Sequence, residues 1–90
     1  IIPNQYTLNQ NYPNPFNPST VIEFSLPEAT DVSLTIYNIL GQKVTELVNG
    51  NLEAGHYNYQ WNARDVATGI YIYELRTDNF VSVKKMLLMK

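Results

Sequence analysis

The chain has 90 residues, 44% hydrophobic, 12% aromatic and 16% charged, with a formal net charge of −2 and no cysteine. That length makes one domain, with an expected radius of gyration of about 12 Å and roughly 60–65% of its extended-chain surface open to burial. The charge excludes an electrostatic case for nucleic acid, no apolar run approaches the ~18 residues of a membrane span, and a core without disulfides must hold by packing alone.

The first residues, Ile1-Ile2-Pro3-Asn4-Gln5, lack a basic start and an apolar core segment, so no signal peptide is expected here. A start without Met suggests a piece of a longer protein. Residues 1–11 are polar around Tyr6 and Leu8 and read as a linker running into a short first strand. The linker is placed at 1–8 and the domain at 9–90. Tyr12-Pro13-Asn14-Pro15-Phe16-Asn17-Pro18-Ser19-Thr20 follows. Its prolines lack the N–H that a central ladder needs, and Asn14 and Asn17 are pushed out of the helical region by the proline after each. The segment reads as a rigid elbow that Tyr12 and Phe16 pin to the domain. As a polyproline ligand it lacks a basic neighbour.

Residues 21–26 alternate, with Ile22, Phe24 and Leu26 inward and Glu23 and Ser25 outward. Pro27-Glu28-Ala29-Thr30 is a turn. Residues 31–38 alternate again through Val32, Leu34 and Ile36. Asn38-Ile39-Leu40-Gly41 closes a hairpin, with Gly41 as its left-handed residue. A third long strand covers 42–48, and 49–54 is expected to be a loop carrying Leu52 as a plug. Residues 55–62 set Tyr57, Tyr59 and Trp61 on one face and His56, Asn58 and Gln60 on the other.

The last stretch holds two β-rich runs around Asp78-Asn79, a pair suited to a tight turn. A two-residue loop sets Thr77 against Phe80, Leu75 against Ser82 and Tyr71 against Met86. Tyr71, Tyr73 and Leu75 then share a face with Phe80, Met86 and Leu88; Ile70, Ile72, Val81, Val83 and Leu87 fall on the other. Apolar residues on both faces imply a hairpin well inside a sheet. Seven strands at roughly 8–12-residue spacing predict an all-β, seven-stranded antiparallel sandwich of immunoglobulin-like type.

Signs of chemistry are sparse. His56 is the sole histidine and sits on a polar strand face, where a metal site wants several ligands together. There is no phosphate-binding glycine loop, and the glutamates are spread over different strands. No catalytic, cofactor or metal residue is assigned. Two readings of binding features stay open. Tyr57, Tyr59 and Trp61 are either an inward core stripe or a carbohydrate-stacking platform, buried in the first case and coplanar and exposed in the second. Lys84, Lys85 and Lys90, in a stretch without acids, either guard a sheet edge or serve recognition.

Several segments together resemble a known family. Asn11-Tyr12-Pro13-Asn14-Pro15-Phe16-Asn17-Pro18-Ser19-Thr20 resembles the opening motif of the type A C-terminal sorting domain of the type IX (Por) secretion system. The likeness continues through Ile36-Tyr37-Asn38-Ile39-Leu40-Gly41-Gln42-Lys43-Val44, Leu52-Glu53-Ala54-Gly55-His56 and Trp61-Asn62. It ends in Gly69-Ile70-Tyr71-Ile72-Tyr73-Glu74-Leu75 and Lys85-Met86-Leu87-Leu88-Met89-Lys90. It runs from Leu8 onward, in family order. Asn62 departs from the Asp usual after the tryptophan.

The resemblance implies a folded, non-enzymatic export signal of secreted proteins from the Bacteroidetes and related phyla. It would carry an upstream passenger from the periplasm through an outer-membrane translocon. A sortase-type peptidase would then remove the signal and anchor the passenger at the cell surface. The fold is shared with a flagellar hook-capping domain, which the chain resembles less. Pro13, Asn14, Pro15, Phe16, Gly69, Tyr71, Leu75, Lys85 and Lys90 are the candidate recognition residues. A carbohydrate-binding module on a secreted hydrolase is the competing function.

Overall fold

Period-two alternation sorts Ile22, Phe24 and Leu26 onto one side of their strand and Val32, Leu34 and Ile36 onto one side of the next. Two such faces can be covered only by each other. The computed structural model, which describes residues 3–90, shows this arrangement. It contains β1 (Thr7–Leu8), β2 (Ser19–Leu26), β3 (Thr30–Asn38), β4 (Lys43–Leu52), β5 (Gly55–Asn62), β6 (Gly69–Thr77) and β7 (Val81–Leu88). One sheet has the order β1-β2-β5 and the other β4-β3-β6-β7, and every strand pair is antiparallel. The chain changes sheet between β2 and β3, β4 and β5, and β5 and β6, which gives the immunoglobulin-like connectivity. No helix occurs among the described residues, so none is long and apolar enough to cross a membrane.

The core draws on both inner faces. Ile22, Phe24 and Leu26 from β2 meet Leu34, Ile36, Tyr73 and Leu75 from the facing sheet, all essentially without solvent contact. Trp61 is buried at the end of β5, edge-on to Tyr71 with ring centroids 5.4 Å apart. Tyr57 and Tyr59 are half-buried because β5 is a sheet edge, and both rings stack on Phe24, at 5.4 and 5.9 Å. They face inward, so the exposed coplanar platform that sugar binding requires is not formed.

The register of the last hairpin follows the turn: Leu75 opposes Ser82, Tyr71 opposes Met86, and Thr77 donates its N–H to Phe80 O at 2.8 Å. Gly41 takes φ +83° in the β3–β4 turn. The structure corrects three expectations about the hairpin, residues 49–52 and Tyr12. The β6–β7 hairpin does not lie inside its sheet, because β7 is the edge strand and Ile70, Val81 and Val83 face solvent. Their β-branched side chains suit a pleated strand whether or not the face is covered. Residues 49–52 are not a loop: β4 continues to Leu52 by pairing backbone to backbone with β3, Gly50 opposite Val32, which needs no apolar side chain. Leu52 does pack against the core. Tyr12, finally, pins nothing with its side chain, which is 80% exposed, although its backbone bridges to Val21.

The stretch expected to be linker takes part in the sandwich. β1 pairs with β2, Gln5 O accepts from Ser25 Oγ, and Tyr6 stacks on Phe80 at 5.2 Å while donating its hydroxyl to Glu28. That carboxylate holds the Tyr6 phenol above its ordinary pKa.

Candidate recognition surface

The elbow is held by one buried ring and a small set of hydrogen bonds. Phe16 is 2% exposed and packs against Trp61, centroids 5.7 Å apart. Its backbone joins the outer edge of β7: Phe16 N–H donates to Leu87 O, and Met89 N–H donates to Phe16 O, both at 3.0 Å. Asn14 Oδ1 accepts from Leu87 N–H at 3.0 Å. The peptide bonds before Pro13, Pro15 and Pro18 are cis. The side chains of Pro13, Asn14 and Pro15 remain exposed, so the elbow is fixed at its centre and displayed at its rim.

A buried polar network locks the approach to the elbow. Asn11 Nδ2 donates to Thr20 Oγ1 (2.9 Å) and Pro13 O (3.1 Å), and Thr20 Oγ1 donates to Pro13 O at 2.9 Å. Tyr73 reaches across the core, donating to Asn9 O at 2.7 Å and accepting from Asn11 N–H at 2.8 Å. Burial pushes the Tyr73 phenol up to about 12, against a smaller lowering by the Asn11 N–H. Among the described residues no buried side-chain nitrogen or oxygen lacks a partner. No sequence motif marks this network, although one signal was present. Thr20 is in phase with Ile22 and Phe24, so it must point inward and find a partner.

The structure gathers most of the candidate residues at one end of the sandwich. Gly69 opens β6 opposite Leu88 with φ +151°, a conformation that favours glycine. Tyr71 is buried two residues on, its hydroxyl donating to Ala67 O and closing the β5–β6 loop. Lys85 is exposed beside a shallow depression lined by Asn14, Ile70, Met86 and Leu87. Lys90 does not project freely, because its ammonium donates to Arg64 O at 2.7 Å. Leu75 is not brought to this surface. It lies further along β6, fully buried, and acts by holding the fold.

The same end carries the β3–β4 turn, since Asn38 pairs with Tyr71. Asn38 Oδ1 accepts from Leu40 N–H (2.9 Å) and Gln42 N–H (3.0 Å), and Asn38 Nδ2 donates to Gln42 Oε1 at 2.9 Å. The turn therefore holds Ile39 and Leu40 out, 68% and 79% exposed. Elsewhere, His56 is exposed opposite Ser25 on the other sheet. No group of three or more His, Asp or Glu among the described residues is placed to hold a metal.

What gathers at this end is the exposed rim of Pro13, Asn14 and Pro15, seated on buried Phe16, together with the apolar tip of Ile39 and Leu40. The sequence model of a family described as the secretion system C-terminal sorting domain matches residues 10–89. No curated protein and no solved structure matches the chain.

Proposed function

The chain belongs to the C-terminal sorting domains of the type IX (Por) secretion system, and from that premise we propose that it acts, folded, as a non-catalytic tag for a covalently attached upstream passenger. The tag crosses the periplasm with its passenger and presents the elbow end of the sandwich to the outer-membrane translocon. A sortase-type peptidase then cleaves it off and leaves the passenger at the cell surface. The family match over residues 10–89 is the observation that carries this reading. The architecture supports it: a sandwich without disulfides folds by packing alone, and its rim residues Pro13, Asn14, Pro15 and Lys85 are exposed yet held in place.

The test is a secreted reporter carrying this domain at its C-terminus in a type IX-competent cell. Reporter should reach the surface or medium, and should stay inside a cell lacking the translocon. Met86→Asp should abolish export by burying a charge with no partner in the core. Lys85→Gln with Lys90→Gln should leave the domain folded and lower export, since exposed charges contribute little to stability. If that double variant is folded and exported at the parental level, the lysines guard an edge and are not read.

A further inference from the structure

The outer edge of β7 is closed along half its length. Leu87 and Met89 bond outward to the elbow, and Lys85 O accepts from Gln10 Nε2 at 2.6 Å. Odd-numbered residues of β7 thus turn their backbone away from β6, while Ser82, Lys84, Met86 and Leu88 turn theirs toward it. The same alternation sets the N–H and C=O of Val81 and Val83, and the N–H of Lys85, on the open edge. Among the described residues none of these five groups has a hydrogen-bond partner. The side chains beside them are Val81 and Val83, 50% and 53% exposed, and Lys85.

We propose that Val81–Lys85 is a docking edge that takes up an extended, acidic segment of the export partner as a fifth strand of this sheet. The proposal rests on the sorting reading above. Backbone groups in extended ladder geometry are met by another extended strand, and the elbow already does so on the other half of the same edge. The charge decides between occupants. Two copies of this chain paired antiparallel about Val83 would bring two ammonium groups to each face of the seam, Lys85 from each copy on the outer face and Lys84 from each on the inner, with no carboxylate in residues 80–90. Such lysines oppose self-pairing. A strand with carboxylates opposite Lys84 and Lys85, and apolar residues beside Val81 and Val83, has no such conflict.

The edge can be closed without breaking the sheet. The Val83 N–H points away from β6, so Val83→Pro removes a docking donor and sets a ring in the path of the incoming strand while sparing the β6 ladder. In the reporter fusion we expect a domain that melts cooperatively with buried Trp61 fluorescence, and at least a tenfold loss of export. Val81→Pro, at the first residue of β7, carries the same test should the first variant not fold. A folded proline variant exported at the parental level overturns the proposal. Lys84→Glu with Lys85→Glu addresses the charge: undiminished export of that folded variant overturns the acidic occupant. Concentration-dependent dimerisation of the parental domain in sedimentation, lost in Val83→Pro, would assign the edge to a second copy instead. If the parental fusion itself is not exported, or is exported without the translocon, the sorting reading fails and the docking edge with it.

Discussion

Phe16→Ala separates an elbow that holds the fold from one that merely decorates it. Phe16 is 2% exposed and its ring rests on Trp61. Truncating a buried phenylalanine costs about 3–5 kcal/mol, including about 0.5–1.5 kcal/mol for the aromatic pair. The two backbone bonds joining Phe16 to Leu87 and Met89 depend on the ring staying seated, and each contributes about 1 kcal/mol if lost. A domain of this length is stable by about 5–14 kcal/mol in total, so the variant should sit near the limit of folding. In urea, at a slope of about 1 kcal/mol per molar, the midpoint should fall by about 3 M or more. Trp61 fluorescence reads the transition directly, because the lost ring is its neighbour. Amide exchange at Leu87 and Met89 should accelerate before the global transition, showing the elbow peel away first. A variant within about 0.5 kcal/mol of the parent, the range of an ordinary surface change, would refute the anchoring role.

Tyr73→Phe should cost about 1–3 kcal/mol at neutral pH, because Asn9 O loses its donor and the Asn11 N–H its acceptor inside the core. The parental phenol also sets an alkaline limit: its folded pKa of about 12 exceeds its ordinary value near 10. Its contribution is thus fully present below about pH 10 and is lost as pH rises through about 12, so the melting temperature of Tyr73→Phe should fall less steeply over that window. Asn38→Ala removes the acceptor that organises the β3–β4 turn and should lower the melting temperature by about 4–8 °C, the equivalent of about 1 kcal/mol. Ile39→Ser with Leu40→Ser should leave stability within about 0.5 kcal/mol, and a larger loss would mean the tip packs on the body.

The strands were legible because their large apolar residues alternate, although Ser25 and Thr35, out of phase with them, are buried as well. Ile22, Phe24 and Leu26, and Val32, Leu34 and Ile36, lie in sequence as they lie in the core. The hairpin register followed from one dipeptide, because a two-residue turn leaves no freedom of pairing. The far end of strand β4 is hidden in the sequence for the converse reason. Asn49-Gly50-Asn51 carries turn residues, and only the partner strand β3 shows that their backbone is already paired. The elbow's role was visible in its prolines and Phe16. The exposure of Tyr12 is not legible, because an aromatic side chain next to a proline carries no mark of which way it points.

Misplacing β7 has a deeper cause, and the same cause shaped the candidate site. A strand whose two faces are both apolar is the signature of burial on both sides, but β-branched side chains also appear wherever a strand must stay extended. Ile70, Val81 and Val83 satisfy either account. What separates the two is the neighbour at the edge, and that neighbour is contributed by the elbow, far away in the chain. Phe16 reaches Leu88 and stops there, so it closes the strand's second half and leaves the first half open. Lysines in the last strand fit the same geometry, since charged side chains on an open edge oppose pairing with a second copy of the chain. The proposed docking edge is therefore set by where pairing ends, a property of the assembled sheet that no single segment of the sequence contains.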